Sequence, residues 1–161
     1  MGFLLKILLL ILSLSAFSCK SAKDASSPKE NAVSAAEQTG KIDYDFTKMN
    51  FNIATAQIFD MTVDPDKYLG KTVRFRGQFL SIEEAGYSTR FFSVLQFDAT
   101  ACCQTGFMFF LPADKKYPDD YPAEMSEIEV IGTLTADKVD DMDITYLSCE
   151  NFTVIDEAAS E

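Results

Sequence analysis

The segment Thr72–Ile82 alternates in polarity, with Val73, Phe75, Gly77 and Phe79 on one side and Thr72, Arg74, Arg76 and Gln78 on the other. A period of two marks a strand with one buried and one wet face. Gly77 stands at an inward position, where a side chain would otherwise pack. Glycine there signals a bend or bulge, the device by which one long strand serves both sides of a small closed sheet. The rest of the chain must therefore supply partners for this strand and a core for its apolar face.

The segments that follow meet that need. Glu83–Thr89, with Gly86, reads as a turn, and Phe91–Phe97 returns as a strand with apolar residues on both faces. Phe107–Leu111 is a third strand, Ile128–Thr135 a fourth with Ile128, Val130, Gly132 and Leu134 inward, and Ile144–Ile155 a fifth. The connection Pro112–Pro122 contains Tyr117-Pro118-Asp119-Asp120-Tyr121-Pro122, which removes ladder donors and reads as irregular. An acidic turn, Asp137–Asp143, joins the last two strands. Upstream, Ile53, Ala54, Ile58, Phe59 and Met61 recur at helical steps, which predicts a short helix over Asn52–Met61 with Asn50 or Asn52 as N-cap and this apolar face against the sheet. Asp64–Tyr68 reads as one further helical turn with proline at its first position, ended by Gly70. This order predicts a mainly β domain over residues 41–156, a five-stranded OB-like barrel with a short N-terminal helix, whose competitor is an open sandwich-like sheet. Residues 157–161 read as a frayed tail.

The N-terminal region reads as a delivery system. Phe3–Leu14 is apolar except for Lys6 and Ser13; at about a dozen residues it falls short of the roughly 20 that span a bilayer, and it predicts a signal peptide over residues 1–18. Ser15-Ala16-Phe17-Ser18-Cys19 resembles a bacterial lipobox, which makes Cys19 the lipidated residue and new N-terminus. Ordinary secretion, leaving Cys19 a plain thiol, is the alternative. Lys20–Gly40, rich in Ala, Ser, Lys and Glu, reads as a disordered tether with an end-to-end distance of roughly 25 Å. The expected location is extracytoplasmic, anchored by lipid to a bacterial membrane.

The formal charge is −11, and removing residues 1–18 takes away one lysine and leaves −12. Such an acidic surface repels phosphate backbones and anionic lipid headgroups, which argues against nucleic acid as a partner and leaves an envelope protein or a small ligand. The chain has no histidine, which removes Ser-His-Asp and Cys-His catalysis and the commonest transition-metal ligand. A non-catalytic binding or accessory domain without a cofactor is expected, with a metal left open; the alternative is a thiol-dependent metal-binding or redox protein using Cys102, Cys103 and Cys149.

Three separated segments carry a resemblance: Tyr68-Leu69-Gly70-Lys71-Thr72-Val73-Arg74-Phe75-Arg76-Gly77, then Cys102-Cys103, then Ile128-Glu129-Val130-Ile131-Gly132. Together they resemble the OB-like soluble C-terminal domain of bacterial YcgQ-type membrane proteins, over about residues 50–155. Similar Gly-Lys strand openings occur in tRNA-anticodon-like OB domains of bacterial envelope proteins. This chain departs in having a lipobox-like leader in place of membrane helices, and in lacking the acidic residues that usually follow the cysteine pair. The resemblance implies a fold and carries no active site with it.

With Cys19 lipidated, the free thiols are Cys102, Cys103 and Cys149. Three thiols are too few for an all-thiolate tetrahedral zinc site, and neighbours on a regular strand point to opposite faces. A metal site therefore requires a tight loop at the pair and a carboxylate such as Asp98 or Glu150. The competing expectation, favoured outside the cytoplasm, is one disulfide to Cys149. Cys103 is its nearer partner, because the third strand of an OB barrel lies parallel to the fifth. Asp137, Asp140, Asp141 and Asp143 lack the spacing and glycine of a calcium loop and read as a solvated hairpin tip. The phenylalanines fall mostly at inward strand positions, which fits core packing better than base stacking.

Lipidation is tested directly by Cys19→Ala, because the acyl chains attach to that thiol. The variant is expected to leave the detergent phase for the aqueous phase; equal partitioning of variant and wild type into detergent would refute the leader assignment.

Overall fold

The computed structural model describes residues 40–155. The expected signal peptide, Cys19, nearly all of the tether and the C-terminal tail lie outside them. The described chain is mainly β: six strands in one mixed sheet and one α-helix. In chain order these are β1 (Tyr44–Asp45), α1 (Phe51–Val63), β2 (Thr72–Ile82), β3 (Phe91–Phe97), β4 (Gln104–Phe110), β5 (Glu127–Val139) and β6 (Met142–Val154). Short 3-10 turns, Phe46–Lys48 and Pro65–Lys67, flank the helix.

Five of the strands close a ring, β2–β3–β4–β6–β5 and back to β2. Its seam is β2. From Thr72 to Gln78 that strand pairs antiparallel with β5, and from Gln78 to Ile82 it pairs antiparallel with β3. β5 and β1 both pair at Val73 and Arg74, so they lie on opposite edges, and β1 covers the stretch of edge that β3 leaves bare. The handover comes at Gly77, where a Cβ would sit 2.4 Å from the carbonyl oxygen of Leu95. The bend expected from an inward glycine is therefore a close backbone approach. β1, too short to show any alternation, has no counterpart among the predicted strands.

The ring is filled by aromatic side chains. Among the described residues seven phenylalanines are buried: Phe46, Phe75, Phe79, Phe92, Phe107 and Phe109 in the core, and Phe91 apart from it against Tyr87 and Phe110. Phe46, Phe75 and Phe107 meet edge-on or tilted with centroids 5.3–5.7 Å apart, whereas Phe79, Phe92 and Phe109 pack with Tyr121 further along the strands, Tyr121 stacking on Phe92 at 4.1 Å. Removing each fully buried ring from water contributes about 1.5–3 kcal/mol. The long connection after β4 is bound to the end of β2 through Glu124, which accepts the Ser81 N–H at 3.1 Å and the Tyr117 hydroxyl at 3.2 Å.

Asn50 caps α1, its Oδ1 accepting the Ile53 N–H at 3.0 Å. Ala54, Ile58 and Met61 face the ring, but Ile53 and Phe59 are 56% and 69% exposed, contrary to the expected single apolar face. The reason is angular: at 100° per residue neither falls on the Ala54–Ile58–Met61 stripe. The acidic turn is narrower than expected. Asp137 and Asp143 pair across the ladder with Ile144 and Lys138, and the tip is Asp140-Asp141, with φ of 47° and 65°. Aspartate tolerates this left-handed backbone, whose twist suits a two-residue hairpin. Nor is the tip simply solvated: Asp140 accepts the Ser88 N–H and hydroxyl at 2.9 and 2.6 Å and the Thr89 N–H at 2.8 Å.

The expected Cys103–Cys149 bridge is not formed; Cys102, Cys103 and Cys149 are all free. β4 and β6 are parallel, as expected, but the register is Phe109 with Leu147 and Phe110 with Ser148. Continued back to Cys103, that register points eight residues short of Cys149, a distance along the strand of about 25 Å. Cys149 instead pairs across from Gly132 and turns inward, its Sγ 2.5 Å from where a Gly132 Cβ would lie.

Gly77→Ala should force Leu95 and its backbone outward, costing about 1–3 kcal/mol, as other overpacked sites do. Thermal melts are expected to show Tm several degrees lower, with Gly40→Ala, which has nothing within 4 Å, unchanged. Equal melting of the two variants would show that the seam is not tight.

Candidate metal centre

Between β3 and β4 the chain turns through Asp98-Ala99-Thr100-Ala101-Cys102-Cys103. The turn is organised by Asp98. Its N–H donates to the Cys103 carbonyl at 3.0 Å, and its own carbonyl accepts the Ala101 N–H at 2.9 Å. Its Oδ1 accepts the backbone N–H groups of Cys102 at 2.9 Å and Cys103 at 3.3 Å. Ala101 has φ 55°, the left-handed step that turns the chain back. Because the two cysteines lie in this turn and not on a regular strand, their thiols share a side, with the Sγ atoms 3.5 Å apart.

The second carboxylate oxygen faces the thiols. Asp98 Oδ2 accepts the Cys102 S–H at 3.3 Å and the Thr100 hydroxyl at 2.9 Å, and Thr100 Oγ1 also lies 3.1 Å from Cys102 Sγ. One carboxylate oxygen and the two sulfurs all fall within 4.8 Å of one another. Among the described residues this is the one group of three or more Cys, Asp or Glu side chains close enough to share an ion. Asp98 is half-buried, and both cysteines are exposed.

Electrostatics fit a cation better than a nucleophile. Burial pushes the Asp98 carboxyl upward, but hydrogen bonds from Thr100, Cys102 and the backbone outweigh it and hold the group below its ordinary range. The hydrogen bond with Cys102, with the Asp98 charge and slight burial, holds the Cys103 thiol above its ordinary range. A thiol kept protonated by an adjacent anion is a poor nucleophile. A metal ion reverses that penalty, since it takes the place of the thiol protons and neutralises the three converging anions.

Cys149 belongs elsewhere. It is buried in the ring, and desolvation, with a smaller effect of Glu150, pushes its thiol up to about 12. Glu150 is exposed on β6 and does not join the cluster. Of the two carboxylates suggested by the sequence, the structure brings Asp98 to the cysteine pair. Thr100 was missed; its signal is the Asp-x-Thr spacing, in which a hydroxyl two residues on returns to the carboxylate.

The chain matches no family model and no curated protein sequence. Among the described residues no helix is long and apolar enough to cross a membrane.

In reduced Cys19→Ala protein at neutral pH, two thiols are expected to react promptly with an aromatic disulfide reagent and the third only after unfolding in denaturant. Three prompt thiols, or fewer than two, would contradict the placement of the cysteines.

Proposed function

We propose that this chain is a lipid-anchored, extracytoplasmic, non-catalytic binding domain of the OB type, and that it binds a thiophilic divalent ion of the zinc class through Asp98, Cys102 and Cys103. The observation that carries the metal reading is the convergence of two sulfurs and one carboxylate oxygen within 4.8 Å in a single turn. Two thiolates select against magnesium and calcium, and a carboxylate beside them suits zinc, which accepts sulfur and oxygen donors together. The OB reading is supported by the ring order β2–β3–β4–β6–β5 with β4 parallel to β6, and by the resemblance to YcgQ-type domains. The anchor rests on the leader and Cys19. The absence of histidine from the sequence and the raised Cys103 thiol favour a binding role over a catalytic or thiol-redox one. Nucleic acid is disfavoured by the charge of −11.

Reduced protein titrated with Zn2+ against a chromophoric chelator is expected to bind one equivalent. The double variant Cys102→Ser/Cys103→Ser should lose it, while Cys149→Ser should keep it. Thr100→Val, which removes the hydroxyl that orients the carboxylate, should weaken affinity by about 10-fold. Affinity should fall as pH is lowered, because protons compete for both sulfurs. Undiminished binding by the double serine variant would end the proposal.

A further inference from the structure

We infer that the ion held by this loop keeps one coordination position free and fills it with an imidazole or thiolate brought by a different molecule, not by a second copy of this chain. The inference rests on the metal reading above and extends it from what is bound to how the bound ion is used. Closed structural zinc sites take four protein ligands, and sites with three keep the fourth for an exchangeable one. Here all three donors come from six consecutive residues of one turn and lie within 4.8 Å of one another.

The turn holds one further oxygen near the sulfurs, the Thr100 hydroxyl, but it is a neutral, weak ligand for zinc and already donates to Asp98 Oδ2. Asp98 Oδ1 is occupied by the Cys102 and Cys103 N–H groups, which leaves Oδ2 as the one oxygen turned toward the sulfurs. The hydrogen bond from Cys102 to that oxygen marks where the ion would replace a proton. The chain has no histidine, Cys149 is buried in the ring, and no other described acidic side chain joins the cluster. Asp98 is half-buried and both cysteines are exposed, so an ion held by the three would keep a side open to solvent. A water there exchanges by simple substitution: the metal–oxygen bond breaks, the bond to the incoming nitrogen or sulfur forms, and an incoming thiol gives its proton to solvent. No electrons are transferred. An exposed ion with an exchangeable position suits presentation to an acceptor better than permanent structural use.

The test uses full-length Cys19→Ala protein, reduced and loaded with Co2+ in place of zinc. Thiolate-to-cobalt charge-transfer bands in the near ultraviolet, at one cobalt per chain, report the site itself. Imidazole is then added. The visible bands are expected to move to higher energy along a one-site saturation curve, with the charge-transfer bands retained and the protein monomeric by sedimentation. Charge-transfer bands with visible bands that do not respond to imidazole would overturn the open position alone. So would one cobalt per two chains in a dimer, since a second copy would then complete the ion. Absence of the charge-transfer bands would overturn the metal reading and this inference with it.

Discussion

The fold depends on the close approach of Gly77 to the Leu95 carbonyl. A strand that pairs with β5 over its first half and with β3 over its second brings its backbone against β3 where the partners change, and no side chain fits there. Closure there removes most exposed edges at once and turns the inward faces of all five strands toward one interior. The phenylalanine cluster follows from that closure, because only a ring this tight brings Phe75 to Phe107 and Phe79 to Phe109. Closure also places β3 beside β4 in antiparallel register, which leaves only six residues to cross from one to the other.

That short crossing gives the cysteine pair its character. A longer loop would let the thiols separate, and a regular strand would send them to opposite faces. The six-residue turn is instead tied at four points to one aspartate, so its shape and its chemistry have the same source. The carboxylate that fixes the backbone with one oxygen offers the other to the sulfurs. Exchange of Asp98 for a neutral residue would thus alter geometry and charge together, whereas Thr100 touches the carboxylate through its hydroxyl alone.

What the sequence made legible was periodic or punctuated. The alternation of Thr72–Ile82, the Asn50 cap, the inward Gly77 and the prolines of the long connection each act locally, and each stands where it was expected. Register was not legible, because a period of two fixes which face a residue takes and not which residue lies opposite. The Cys103–Cys149 bridge failed for that reason: the parallel pairing was right, but the strands are offset so that the cysteines lie far apart. The shared side of Cys102 and Cys103 was hidden too, since it turns on a left-handed alanine that nothing in the composition announces. Asp98 was recognisable only as a nearby carboxylate, and its four backbone contacts and its contact with the Cys102 thiol emerge from the folded turn.

The Asp140 contacts bear on how the surface can change. From Thr135 onward β5 pairs only with β6, so the hairpin leaves the ring as a two-stranded arm, and its tip is held by Ser88 and Thr89 from the loop between β2 and β3. Surface loops ordinarily accept insertions and deletions. This loop is measured against the arm: a residue added or lost before Ser88 would carry its amides away from the Asp140 carboxylate and release the tip. Two segments some fifty residues apart in sequence are therefore bound to a common length, and drift in one is admissible only with compensation in the other.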